Sequence, residues 1–283
     1  MTDLPDVPVG ESRGEPDLTA AQWLSWDVYG YVLLEGLLSE NEVASIKDAL
    51  YRLRSEEDLE RLKVYVNHRE PHRFHVGHLI EYDPSLVAFA VHPKLASLTE
   101  KLVGGKVRVE ETEAIINSRE PNDSSLPRTR ERVEALKFHT GTRHGWGTFY
   151  DGAHFHCLFV KALAYLSDVG PDDGGTAVIP GSHRLRWPQN EIIRAATSDT
   201  EMVHQVTAPA GSVLLFPESL VHSTTAVHSD VERVVIITGY SAAMIREWPG
   251  NETSRDFLGS LRARERELLA GDGGWRWWAG RGN

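Results

Sequence analysis

From Lys106 onward the chain breaks into short apolar runs, KVRVEETEAIIN, HCLFVKALAYLSDV, TAVIP, SVLLFP and RVVIITGYS, separated by Gly, Pro and Asp. Runs of this length between turn-forming residues read as strands. Strands at this spacing after a helical N-terminal stretch predict a mainly β fold with flanking helices (α+β). Its core would be a double-stranded β-helix of the jelly-roll or cupin-like kind.

The helical part is written in capping signals. Thr19 can cap a short helix through Asp27, and GYVLLEG then reads as a strand. Ser39-Glu40-Asn41-Glu42 is a capping box, in which the serine hydroxyl and the glutamate each satisfy an orphan amide. Behind it Val43, Ile46, Leu50 and Leu53 recur at helical spacing. HPKLASLTEKLVGG predicts a further helix, opened near Pro93 and closed by Gly104 or Gly105. A last helix is expected over Ser254 to Ala270, before the tail GDGGWRWWAGRGN. No internal repeat is present, so residues 18–283 are expected to form one domain and the Pro-, Gly- and Asp-rich residues 1–17 an arm.

Bulk properties exclude several function classes. The 283 residues suffice for a sizeable core, and 41% hydrophobic with 25% charged residues is ordinary for a globular chain. A net charge of −11 argues against a nucleic-acid polymer or an anionic membrane as partner. The lone Cys157 excludes an intrachain disulfide. With no apolar h-region at the start and no run of membrane-spanning length, a cytoplasmic location is expected. Oligomeric state is not encoded in any pattern found.

Four histidines crowd into KFHTGTRHGWGTFYDGAHFHCL, residues 137–158. Jelly rolls suit metals because ligands can come from strands distant in sequence. The iron version uses two His and one carboxylate on one face. His139 lies just before a strand, and His222 follows the apolar GSVLLFPESLV. Arg233, eleven residues beyond His222, opens RVVIITGYS. On a neighbouring antiparallel strand it could grip a dicarboxylate's distal carboxylate in two-point fashion, as 2-oxoglutarate requires. With thirteen histidines in the chain, any one alone is more often a surface residue than a ligand; the His222–Arg233 combination is the stronger signal.

WDVYGYVLLEGLLSENEVASIKDAL, HPKLASLTEKLVGGKVRV, LSDVGPDDGGTAVIPGSHR, AGSVLLFPESLVHSTTAV and ERVVIITGYS together resemble the phytanoyl-CoA dioxygenase (PhyH-like) family, from about Trp26 to Ser241. The resemblance implies non-haem Fe(II) and 2-oxoglutarate, with O2 as co-reactant and a small-molecule substrate. It makes His222 the distal ligand, Arg233 the cosubstrate anchor and Thr224 a hydroxyl beside the same carboxylate. The family's His-x-Asp motif falls best on His139-Thr140-Gly141, so the proximal ligand is His139 and the acid is missing. His154-Phe155-His156 competes less well, and His183 reads as a turn residue.

Three readings of Gly141 stand open. His-x-Gly resembles the iron/2-oxoglutarate radical halogenases of secondary metabolism, in which chloride takes the carboxylate's place; glycine leaves both space and a charge vacancy. Alternatively the enzyme is a hydroxylase whose carboxylate comes from Asp151, Glu218 or Glu113. Thirdly, a jelly roll without iron would be a metal-free binding protein. For substrate, Arg128, Arg130, Arg132, Arg143, Arg184 and Arg186 form either a solvated face or a rim for an anionic, nucleotide-like metabolite. His144, Trp146, Phe149 and Tyr150 stand in the loop beside His139, where an aromatic ring could stack on a planar substrate or merely pad the mouth.

Overall fold

The computed structural model describes residues 17–120, 136–151 and 154–271. The expected mainly β architecture is present. Twelve strands are described: β1 (Val32–Leu34), β2 (Tyr65–Glu70), β3 (Arg73–Gly77), β4 (Val107–Asn117), β5 (Thr148–Asp151), β6 (His154–Cys157), β7 (Phe159–Tyr165), β8 (Thr176–Val178), β9 (His204–Val206), β10 (Val213–Pro217), β11 (His222–Thr224) and β12 (Arg233–Ala242). The large sheet runs β1-β10-β7-β12-β4-β3-β2 and the small one β11-β8-β9, with β5-β6 as a separate hairpin.

Alternation along the large sheet's central strands separates two cores. Val234, Ile236, Ala162 and Ala164 face outward and join the helices' apolar residues, Trp26, Leu50, Leu53 and Leu98 among them. Val235, Ile237, Leu163, Leu214 and Phe216 face inward onto Val178 and Val206 of the small sheet. Both faces of β12 are covered, so all ten of its residues are buried.

The outer helices are α1 (Ala20–Tyr29), α2 (Glu40–Ser55), α3 (Pro84–Ala90) and α4 (Pro93–Val103). Ser39 and Glu42 form the expected reciprocal cap, with 2.8 Å from the Ser39 amide to Glu42 Oε2. Gly104 ends α4 at φ +74°, the left-handed conformation that glycine tolerates. α5 (Gln189–Ser198) follows the Pro-Gly-Ser-His turn.

Three features depart from the sequence expectation. The last helix is two, α6 (Arg255–Ser260) and α7 (Ala263–Ala270). Leu261 is extended at ψ 153°, and Arg262 opens the second helix with its amide 3.0 Å from Glu265 Oε2. Gly259 and Ser260, poor helix formers, precede the break. The hairpin β2–β3 carries no apolar strand signal, because YVNHRE is polar and mostly exposed. Arg233 and His222 lie on consecutive strands but in different sheets, so they are not neighbours in one sheet. The proposed arm, apart from residue 17, and the WRWW tail lie outside the described residues.

Candidate active site

His139 and His222 meet through their backbones. His139 N–H donates to the His222 carbonyl and His222 N–H to the His139 carbonyl, each at 2.9 Å. This single bridge adds the segment around His139 to the edge of the small sheet beside β11. It sets the two rings 4.4 Å apart, centroid to centroid.

Each ring is also oriented from behind. His139 Nδ1 is 3.0 Å from the Lys137 carbonyl, and His222 Nδ1 is 2.8 Å from the Leu220 carbonyl. A carbonyl only accepts, so each Nδ1 carries the proton and each Nε2 keeps its lone pair, the tautomer a metal-binding histidine needs. Burial first, and His139 second, hold the His222 pKa down to about 3, so this ring is neutral. Phe216 packs edge-on against it at 4.8 Å.

Arg233 is 1% exposed, and its Nε and Nη1 have no hydrogen-bond partner among the described residues. A buried guanidinium is rarely left so, because desolvating it without a partner is costly. Its position is built by glycine: a Cβ at Gly174 would come within 3.3 Å of Arg233 Cδ and 2.7 Å of Val227 Cγ2. Thr224 lies two residues after His222, on the same face by alternation, paired with Thr176 and exposed. Thr176 in turn accepts from the Tyr165 hydroxyl at 3.0 Å.

Gly141 explains itself by its neighbour. A Cβ there would overlap Oε2 of Glu218, so no other residue fits while Glu218 holds this conformation. The Gly141 amide donates to the Glu218 carbonyl at 3.1 Å. Glu218 is 3% exposed and its Oε1 lies 2.8 Å from Lys161 Nζ. Burial, with Glu110 and Glu113 nearby, pushes its pKa well above the usual carboxylate range. Lys161 also pairs with Glu111 and stands 4.0 Å from Glu110 Oε1; burial brings its pKa down to about 8.

Ligand-type atoms of Glu110, Glu111 and Glu218 all lie within 4.8 Å of one another. Among the described residues this is the only such group of three, and His139 and His222 share no group of that kind with a carboxylate. The sequence offers two further carboxylates, Glu113 and Asp151. Glu113 is 3.4 Å from His75 Nε2, and the Asp151 side chain is outside the described residues.

The remaining candidates scatter. Arg143 is exposed. His144 Nε2 is 2.6 Å from the Leu185 carbonyl, and the ring lines a cleft of about 520 Å³ with Tyr150, Arg184, Arg186 and Trp187. Trp146 is half exposed and leans on Phe159 at 5.4 Å. Arg128, Arg130 and Arg132 lie outside the described residues. His154 stacks on Trp23 at 4.2 Å and holds Asp27 at 2.7 Å, while His156 Nδ1 lies 3.1 Å from the Leu102 carbonyl. Lys161, Glu110 and Glu111 escaped the sequence reading. The signals were a lysine inside the apolar FVKALAY and paired glutamates inside a strand.

Two adjacent imidazoles with Nδ1 tied to carbonyls, and a buried arginine whose Nε and Nη1 have no partner among the described residues, are groups that could hold a metal and an anion. Residues 26–235 match the phytanoyl-CoA dioxygenase (PhyH) family, and the chain belongs to that family. It is thus an Fe(II)/2-oxoglutarate-dependent oxygenase-type enzyme.

Solved structures share the fold at low identity. HygX from Streptomyces hygroscopicus, with nickel and 2-oxoglutarate bound, is 23% identical over 84% of this chain and 93% of its own, with a TM-score of 0.65. EctD from S. alaskensis, with 2-oxoglutarate and 5-hydroxyectoine, is 21% identical over 88% and 86%, with a TM-score of 0.63. The epimerase SnoN from nogalamycin biosynthesis is 23% identical over 79% and 82%, with a TM-score of 0.58. Among the described residues no helix is long and apolar enough to cross a membrane.

Proposed function

We propose that this enzyme is an Fe(II)/2-oxoglutarate-dependent radical halogenase, adding chloride at an unactivated C–H of a small metabolite. The observation that carries the reading is the histidine pair at His-x-Gly, which shares no three-ligand group with a carboxylate among the described residues. His139 and His222 offer Nε2 atoms to iron. Arg233 takes the distal carboxylate of 2-oxoglutarate in a charge-assisted grip, with Thr224 beside it. Iron, 2-oxoglutarate and O2 together supply the oxidising power to take a hydrogen atom from an aliphatic carbon. Gly141 leaves the third protein position to a halide, where an aspartate would fill it. Phe216 packs on His222 and helps exclude water from that side.

A hydroxylase is the second reading, and one observation favours it. Glu218 carries a carboxylate into the space a residue-141 side chain would take, as a ligand from elsewhere in the chain would. An anionic, nucleotide-like substrate draws support from the cleft of His144, Arg184, Arg186 and Trp187.

Anaerobic crystals with Fe(II), 2-oxoglutarate and chloride separate the readings. Halide on the metal supports the halogenase; a Glu218 oxygen within about 2.2 Å sinks it. In solution, His222→Ala should lower Fe(II)-dependent conversion of 2-oxoglutarate to succinate at least 100-fold. A metal-free binding protein would show neither iron binding nor that conversion.

A further inference from the structure

We propose that Lys161 is a positioning residue that holds the Glu218 carboxylate off the iron site, keeping the place beside Gly141 free for an exogenous anion. The inference rests on the halogenase reading and names the device that would enforce it.

Lys161, Gly239 and Glu111 lie side by side on the inner face of β7, β12 and β4. Strand alternation would send Glu110 to the opposite face. The register instead slips between Gly239 and Tyr240, so Glu110 is the extra residue of a β-bulge. Bulges re-aim side chains, and here Glu110 joins Glu111 on the inner face. Gly239 makes room for both: a Cβ there would lie 2.7 Å from Glu110 Oε1 and 2.9 Å from Glu111 Cγ. Glu218 arrives from the turn after β10, two residues beyond Phe216, whose partner across the sheet is Lys161.

Two buried carboxylates, Glu110 and Glu218, and the half-buried Glu111 thus surround one buried ammonium. A carboxylate in such a place needs a cation, because an uncompensated buried charge is strongly unfavourable. Lys161 is the cation within reach of Glu218 Oε1 at 2.8 Å, while Oε2 lies against Gly141. Take Lys161 away, and a metal held by His139 and His222 would be a cation open to Glu218, whose Oε2 already lies at the Gly141 position. The same glutamate then becomes the missing third ligand. Whether the site accepts a halide would be decided by a lysine on β7.

The test follows chloride binding rather than turnover. Anaerobic enzyme is loaded with Fe(II) and 2-oxoglutarate, and its visible absorption is titrated with chloride. The wild type should respond to chloride. Lys161→Met should weaken that response at least tenfold and tighten Fe(II) binding. Lys161→Met/Glu218→Gln should restore chloride binding to within about twofold of wild type, which simple damage to packing would not do. If Lys161→Met does not fold, Glu218→Gln decides alone: an unchanged chloride response supports the latch. A response that appears only in Glu218→Gln shows Glu218 already on the metal and overturns it. An undiminished response in Lys161→Met overturns the latch while leaving the halogenase reading intact. A wild type that binds no iron or 2-oxoglutarate overturns both.

Discussion

Lys161 and Arg233 are both buried on the inner face of the large sheet, and they differ in company. Lys161 is ringed by Glu110, Glu111 and Glu218. Arg233, six residues down β12 from the Lys161 level at Gly239, leaves two nitrogens, Nε and Nη1, without a partner among the described residues. Folding tolerates a buried charge that the chain itself neutralises. One it does not neutralise marks a place where a ligand completes the structure. The two should therefore respond to neutralisation with opposite sign.

Lys161→Met gives the largest expected effect. It strands three carboxylates, and breaking a buried ion-pair network from one side costs about 3–5 kcal/mol. Denaturant unfolding of the metal-free enzyme measures it. A loss under about 1 kcal/mol would mean that the carboxylates take up protons instead and the cluster is not held by charge.

Arg233→Met should separate stability from binding. Replacing an unpaired buried guanidinium by an apolar side chain of similar length should leave the metal-free enzyme as stable or about 1 kcal/mol more so. The apparent KM for 2-oxoglutarate should rise about 100-fold, near 2.7 kcal/mol of lost charge-assisted bonding. If stability falls and KM does not move, Arg233 is structural like Lys161, and the contrast between the two collapses.

That contrast was half legible in the sequence. Arg233 could be singled out because its signal lies in order along the chain: an arginine opening an apolar strand, eleven residues after a histidine. His139 and His222 were found by the same kind of spacing, although their face-to-face bridge was not. The network around Lys161 depends on register instead. It needs β7, β12 and β4 aligned at Gly239 and one residue slipped at Glu110, and nothing local in VRVEETEAIIN announces a bulge. Glu218 could be named as a possible carboxylate, but its overlap with the position of a Gly141 side chain required the turn after β10 in three dimensions. Likewise α6 and α7 read as one helix because the Arg262–Glu265 cap restarts helical periodicity almost in phase.

His183 supplies a third kind of buried base, one that discards its charge. It is 1% exposed, sits edge-on to Phe155 at 4.7 Å, and would be overlapped by a Cβ on Gly30. Burial, helped by Arg184, holds its pKa down to about 3. Above pH about 6.5 the ring is neutral in both folded and unfolded chains and contributes no pH dependence. Between there and pH 3 the unfolded chain takes up a proton that the folded one refuses. Folding stability attributable to this ring therefore falls as pH is lowered, by up to about 1.4 kcal/mol per pH unit, and levels off below pH 3. His183→Gln removes that dependence, so the stability difference between variant and wild type should shift in the variant's favour by about that amount per unit from pH 6 to pH 4. A difference that stays constant across the range would mean that His183 finds a counter-charge on protonation and belongs with Lys161 rather than apart from it.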